Sequence, residues 1–265
     1  MQFSYREISK TQKFLRSEEL VKKLLKLTSI PNGAIVLDTG AGKGIISKVL
    51  CDHVGKNGTV YAVEIDPVLA RNVKTSLKRY DNLKVFNQDI FDFDWKILSN
   101  SYYIFSNIPF NQTSLIINKI LAQYPKVLGC WVVVEKEAAQ MYGGQLCGAK
   151  HECYKSLTAR YRYELAIKHE FTLNDFKPSL SKPPVFLEIK PKLNEMISLN
   201  EYALFENFIK KVSKDRVGEG QWKKLFTKKQ INRLCSDAHL VYGKGIKSQR
   251  YEGIVSAFDL VVYTL

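Results

Sequence analysis

A doubly wound α/β domain followed by a small, basic, mainly helical domain is the architecture this sequence predicts, and three observations predict it. From residue 31 short apolar runs alternate with amphipathic stretches, a pattern that calls for strands joined by helices through right-handed crossovers. The first run leads directly into a turn holding Gly40, Gly42 and Gly44. Beyond Ser198 strand-like patterning disappears until the last residues, while Lys and Arg accumulate. The expected division is therefore residues 1–192 for the α/β domain and 193–265 for the basic one.

The elements follow in order. Ala34–Asp38 (AIVLD) reads as a buried strand, the glycines turn the chain, and Ile45–Val54 continues as a helix. Thr59–Glu64 is a second strand; Pro67 opens a helix to about Tyr80, with Asp66 as its N-cap. Leu83–Asn87 and Tyr102–Ser106 are the third and fourth strands, and Thr113–Gln123 is a helix. Val127–Val134 is apolar throughout, as a central parallel strand should be. Glu164–Leu173 and Val185–Lys190 read as two further strands joined by FKPSLSKPP, and Leu199–Lys214 and Thr227–Ala238 have helical spacing.

Charge separates the chain into functional zones. The net formal charge is +14, with a pI of about 9.4. Residues 31–149 carry 12 basic and 10 acidic side chains, whereas 199–250 carry 12 and 5. A nearly neutral middle flanked by basic segments reads as a small-molecule core with nucleic-acid arms, since phosphates neutralised by Lys and Arg release condensed counterions. No apolar run approaches the ~20 residues of a membrane span. The opening MQFSYREISKTQKF has no apolar core of the kind a secretory signal carries, and the five cysteines include no CxxC pair. The expectation is a monomeric protein with free thiols in a reducing cytoplasm. Cys147, His151 and Cys153 lie close together but match no usual zinc spacing, so no metal is expected.

In open parallel sheets ligands bind at the carboxyl ends of the strands, near the point where strand order reverses. The first strand ends in DTGAGKG (38–44), which lacks the GxGxxG interval of a dinucleotide fold. The second ends in Glu64, an acceptor for two ribose hydroxyls; the third is followed by Asp89, an acceptor for an adenine amine, and Ile90, an apolar wall for the ring. Taken singly, each carboxylate reads more readily as a solvated loop charge; two at consecutive strand ends behind a glycine turn read as a nucleoside site. The fourth ends in Ser106-Asn107-Ile108-Pro109-Phe110-Asn111. An exocyclic amine on an aromatic base is a poor nucleophile because its lone pair is delocalised. A site that methylates it should accept its hydrogen bonds, and the Asn107 amide oxygen and Ile108 carbonyl are suited to that. Pro109 fixes the turn, and Phe110 offers a stacking face worth ~1–3 kcal/mol. The plainer alternative is an ordinary Asn-x-Pro turn.

The ordered set TQKFL (11–15), DTGAGKG (38–44), VEID (63–66), NQDIF (87–91), SNIPFN (106–111) and FKP (176–178) resembles the rRNA adenine-N6 methyltransferases. These comprise the Erm antibiotic-resistance enzymes and the small-subunit rRNA dimethyladenosine transferases. Lys224–Gln230 is more similar to the Erm branch. The resemblance implies a Rossmann-like methyltransferase domain, S-adenosylmethionine as methyl donor, and an adenine in the peptidyl-transferase region of 23S rRNA as acceptor. It also implies resistance to macrolides, lincosamides and streptogramin B. By the same resemblance Gln12, Lys13, Leu15, Gly40 and Gly42 border the cofactor, Glu64 and Ile65 hold its ribose, and Asp89 and Ile90 hold its adenine. Asn107 bridges cofactor and target; Ile108, Pro109 and Phe110 complete the catalytic turn, and Phe176 stacks on the target base. Three positions depart from the family pattern: Lys13 for Asn, Phe110 for Tyr, and the stretch after Phe176.

No histidine falls in these motifs, which argues against hydrolysis by a His-based triad. Three rival readings share the fold: a small-subunit rRNA dimethyltransferase, a DNA adenine methyltransferase, and a nucleic-acid-binding factor derived from a methyltransferase.

Overall fold

The computed structural model describes residues 13–98, 101–192, 198–212, 223, 226–238, 249 and 251–262. The apolar runs become strands of one seven-stranded sheet. In chain order the described strands are β1 (Phe14–Leu15), β2 (Ile35–Thr39), β3 (Thr59–Glu64), β4 (Leu83–Asn87), β5 (Tyr102–Asn107), β6 (Val127–Val134), β7 (Tyr163–Glu170), β8 (Phe176–Lys177) and β9 (Val185–Pro191). The described helices are α1 (Glu18–Leu25), α2 (Ile45–Val54), α3 (Pro67–Ser76), α4 (Thr113–Leu121), α5 (Lys136–Gly143), α6 (Tyr154–Arg162), α7 (Leu199–Val212), α8 (Lys228–Ser236) and α9 (Tyr251–Val262).

The sheet runs β4-β3-β2-β5-β6-β9-β7. The pairs β3–β4, β2–β3, β2–β5 and β5–β6 are parallel, and β9 joins β6 antiparallel, from Cys130↔Ile189 to Val134↔Val185. From β2 the chain builds outward through β3 to β4, then returns to lay β5 on the other side of β2. The strand order reverses between β2 and β5, and a crevice at their carboxyl ends follows from that reversal. Asp66 caps α3 as expected, its side chain accepting from the Val68 and Leu69 amides at 2.8 and 3.1 Å. A separate two-stranded sheet pairs β1 with β8, Leu15 opposite Phe176.

The chain divides into two compact units, and the border differs from the expected 192/193. One unit comprises 1–139 and 166–191; the other comprises 140–165 together with 192–265. The reason is packing. Leu157 and Tyr161 of α6 share a buried cluster with Phe205, Phe208 and Ile209 of α7, Ile231 and Leu234 of α8, and Ile254, Ala257 and Phe258 of α9. The core of the first unit gathers Leu15, Val36, Ile46, Leu50, Val60, Phe105, Trp131, Phe176 and Phe186. A second correction concerns the chain end. Strand-like patterning is expected to return in the last residues, yet 251–262 is helical, because Ile254, Ala257 and Phe258 recur at helical spacing and face one core; 263–265 lie outside the described residues.

Candidate active site

Each strand end contributes one part of the crevice. After β2 the chain turns through Gly40, Gly42 and Gly44, all with positive φ (75°, 57° and 79°). Gly42 also has no room for a side chain: a Cβ there would lie 2.7 Å from Phe14 Cε1. The Gly40 and Ala41 amides both donate to the Val63 carbonyl, at 2.7 and 3.1 Å. Helix α2 then starts with no side-chain cap at Gly44, and its first residues, Ile45 and Ile46, line the cleft, which sets the positive end of the helix beside it.

Glu64, at the end of β3, is only 2% exposed. Its Oε2 accepts from the Gly42 amide at 2.7 Å and its Oε1 from the Asp66 amide at 2.9 Å, so one carboxylate ties the glycine turn to the β3 end. Burial raises its pKa above the ordinary carboxylate value, and these amides oppose the rise. Asn87 of β4 donates to the Glu64 and Ile65 carbonyls at 3.0 and 3.1 Å, which carries the next turn, Gln88-Asp89-Ile90, to the same rim. Asp89 Oδ1 accepts from the Phe91 amide at 2.9 Å, and Ile90 is buried.

The end of β5 is fastened to the end of β2. Ser106 Oγ donates to the Thr39 carbonyl and meets Thr39 Oγ1 at 2.9 Å. Asn107 follows directly. Its Nδ2 donates to the Lys13 carbonyl at 2.6 Å, while its Oδ1 is buried with no hydrogen-bond partner. A buried acceptor left open is costly, and its presence marks a place where a donor belongs. Pro109 (φ −60°, ψ 125°) holds the turn, which closes through the Gln112 amide on the Pro109 carbonyl at 3.0 Å.

Two adjoining clefts result. One, of about 710 Å³ and open to solvent, is lined by Lys13, Phe14, Leu15, Gly40–Lys43, Ile45, Ile46, Glu64, Ile65 and the turn Asn107–Phe110. The other, of about 430 Å³, is lined among others by Gly40, Ile65, Gln88, Asp89, Ile90 and Pro109. They share Gly40, Ile65 and Pro109, so the glycine turn and the Asn107 turn stand on one continuous rim.

Of the residues singled out in the sequence, Lys13, Leu15, Gly40, Gly42, Glu64, Ile65, Asp89, Ile90, Asn107, Ile108, Pro109 and Phe110 all line these clefts. Gln12 lies outside the described residues. Phe176 is the correction. Its ring is 0% exposed, packs edge-on against Phe171 with ring centroids 5.2 Å apart, and lines neither cleft. Its place in β8, opposite Leu15, puts it in the core instead. The sequence reading passed over Asp38, Thr39, Ser106 and Phe14. The first two lie inside the glycine motif, and Phe14 inside TQKFL, so the signal was already marked. It also passed over Arg16, which no pattern flags.

A family model described as ribosomal RNA adenine dimethylase matches residues 5–259. The chain belongs to this family. Its members are S-adenosylmethionine-dependent rRNA adenine methyltransferases, and this chain is an enzyme of that kind. Ribosomal RNA small subunit methyltransferase A of Francisella tularensis subsp. tularensis (strain SCHU S4 / Schu 4) is 25% identical over 203 residues, 75% of this chain and 76% of that protein. Among solved structures, 23S rRNA methyltransferase ErmE superposes with a TM-score of 0.81 at 18% identity, covering 93% of this chain and 98% of its own. A dimethyladenosine transferase from Plasmodium falciparum superposes at 0.65 and 16% identity, covering 90% and 85%. At these identities the superpositions establish the fold, a Rossmann-like methyltransferase sheet.

The residues present fit the family's cofactor. Helix α2 begins at the cleft with no side-chain cap, which suits its carboxylate; Gly40 and Gly42 line the cleft without side chains; and Asn107, whose buried Oδ1 has no partner, lines it as well. Among the described residues no group of three His, Cys, Asp or Glu side chains gathers as a metal site, and no helix is long and apolar enough to cross a membrane.

Proposed function

We propose that this enzyme methylates the N6 amine of an adenine in 23S rRNA, and that the Asn107 amide oxygen is the acceptor that activates the amine. The observation that carries this is the orientation of Asn107, with Nδ2 committed to the Lys13 carbonyl and Oδ1 buried without a hydrogen-bond partner, in a residue that lines the same cleft as the glycine turn. A target amine donating to Oδ1 and to the Ile108 carbonyl has its lone pair localised and turned toward the cleft. Bound in the cleft, S-adenosylmethionine supplies an electrophilic methyl on its sulfonium. Lys13, Leu15, Gly40 and Gly42 border its amino-acid end, with Gln12 preceding them. Glu64 and Ile65 hold its ribose, and Asp89 and Ile90 its adenine. Pro109 keeps the acceptors in place and Phe110 stacks on the target base. Positioning of this kind can supply roughly 7–11 kcal/mol of barrier, so no strong base is needed. An adenine in an unpaired loop costs least to extrude into the site.

The 23S acceptor is supported by the Erm-like Lys224–Gln230 segment and by the near-complete superposition on ErmE. Methylation there would block macrolide, lincosamide and streptogramin B binding, in a cytoplasmic enzyme working on rRNA without a protein partner. A second reading has its own observation: the sequence relatives at 25% identity are small-subunit rRNA methyltransferases. Expression in a naive host, with modified adenines mapped by mass spectrometry, decides between them. The expected result is a methylated adenine in 23S rRNA and raised macrolide tolerance; modification confined to 16S rRNA would assign the enzyme to the small-subunit branch.

A further inference from the structure

The Asn107 amide is held at the crevice wall by the main chain that leads into β1, and Arg16 fastens the far end of that strand. Lys13, whose carbonyl receives Asn107 Nδ2, immediately precedes β1. β1 has no partner in the seven-stranded sheet; among the described residues its ladder is with β8, Phe14 opposite Lys177 and Leu15 opposite Phe176, while the Leu15 side chain is buried in the core and Lys43 Nζ lies 4.9 Å from the Phe14 ring centroid. A two-residue ladder is a weak hold. Arg16 extends it: its amide donates to the Asp175 carbonyl and its guanidinium Nε to the Phe176 carbonyl, both at 2.9 Å. The receiving side is rigid. Asp175 Oδ2 accepts from both the Thr172 amide, at 2.7 Å, and the Thr172 hydroxyl, at 2.8 Å, and the Phe176 ring is sealed in the core.

We infer that Arg16 is a positioning residue for methyl transfer: through β1 it fixes the Lys13 carbonyl, and so sets which end of the Asn107 amide faces the reacting amine. This rests on the Asn107 reading above. An amide presents an acceptor on one side and a donor on the other, and the two differ by a half-turn about one bond. With the Lys13 carbonyl in place the Nδ2 end is claimed and Oδ1 remains for the amine. With that carbonyl displaced, the flipped amide points an N–H at an N–H, and the activating hydrogen bond is lost. The same geometry explains why Lys is tolerated at position 13, since the group used there is the main-chain carbonyl. It also gives Phe176 a role consistent with its burial, as the fixed point against which β1 is set.

Arg16→Met keeps the side-chain stem and removes the donor, and Arg16→Lys restores a donor of the same charge. Two readouts are taken. In the free protein, proton exchange of the Asn107 side-chain amide is followed by NMR, its signals assigned by their loss in Asn107→Ala. Exchange should be slow in the unmodified protein and about tenfold faster or more in Arg16→Met, because the restraining carbonyl is no longer fixed. In turnover, kcat should fall about tenfold or more in Arg16→Met, and recover in part in Arg16→Lys, with KM for RNA within about twofold; cofactor affinity by calorimetry, which Lys13 and Leu15 also touch, should fall by much less than kcat. Unchanged amide exchange overturns the inference, as does a raised KM for RNA at constant kcat, which would make Arg16 an RNA contact. A kcat loss accompanied by equal losses of melting temperature and cofactor affinity overturns it too, in favour of a general structural role. Should Asn107→Ala itself retain turnover, the activation reading fails, whereas the amide-exchange result depends on neither cofactor nor RNA.

Discussion

At Asn107 the amide nitrogen has a partner and the oxygen has none, and the proposed chemistry rests on that oxygen. Asn107→Ala removes the acceptor without touching the glycine turn or Glu64. Turnover should drop about 10²–10³-fold, the scale seen when a single aimed hydrogen-bonding group is deleted. Cofactor affinity measured by calorimetry should hold within a few-fold, and undiminished turnover would remove Asn107 from the mechanism. Asp38 makes a different kind of residue-scale statement. It is buried, takes the Ser47 hydroxyl on Oδ2 at 2.7 Å, and leaves Oδ1 without a partner. Burial, reinforced by the Glu64 charge, pushes its carboxyl up to about 7 against 3.8 unperturbed. Between those values the folded protein binds more protons than the unfolded chain. Stability from this group is therefore complete below the unperturbed value and lost as pH rises through about 7. Asp38→Asn keeps an acceptor for Ser47 and abolishes the titration. Its melting temperature should fall less than that of the unmodified protein between pH 5 and pH 8. Glu64, shifted the same way, is present in both proteins, so parallel curves would show that Asp38 does not titrate there.

Among the elements, those with a strong period were legible before any coordinates, and those made by long-range pairing were not. The strand at Thr59–Glu64 and the helix at Ile45–Val54 stand where their apolar patterns put them. The two-residue strands β1 and β8 carry no period, and their partners lie some 160 positions apart in sequence, as the Arg16–Phe176 bond shows. That is why the core position of Phe176 is not legible in the sequence, where the family resemblance alone places it on the target base, whereas Asn107, Glu64 and Asp89 are marked by their places at strand ends. The core role makes a prediction. Phe176→Leu conserves most of the packing and should cost under about 1.5 kcal/mol, with turnover within a few-fold. Phe176→Ala opens a cavity and should cost about 3–5 kcal/mol in denaturant unfolding. If the Leu variant kept stability and lost turnover by orders of magnitude, an aromatic face at 176 would be required by the substrate. Helix α8 gives a smaller test. Thr227 and Gln230 form a reciprocal cap, Oγ1 accepting from the Gln230 amide at 3.3 Å and Gln230 Oε1 from the Thr227 amide at 2.9 Å. Thr227→Ala should destabilise the protein by about 1 kcal/mol.

For the whole molecule, charge was readable from composition and the domain border was not. The border needs contacts that join α6 to helices some forty or more residues further along the chain, such as the stacking of Tyr161 on Phe205 at 3.7 Å between ring centroids. Charge, by contrast, is additive along the sequence, and the excess of Lys and Arg in 199–250 is visible at once. Lys228 and Lys229 offer a test of what that excess does. Both are exposed in the first turn of α8, where the helix dipole disfavours positive charge. Folding gains nothing from cations at that end, whereas an RNA arm would use them. Replacing both with Ala should leave the melting temperature unchanged or slightly higher. The salt dependence of rRNA binding should flatten meanwhile, the log–log slope losing about 0.7–0.9 for each phosphate contact removed. Filter binding of a 23S domain transcript across a salt series measures this directly. A slope that does not move, with affinity intact at low salt, would mean that the first turn of α8 faces away from the RNA and that the phosphate grip lies on other basic segments.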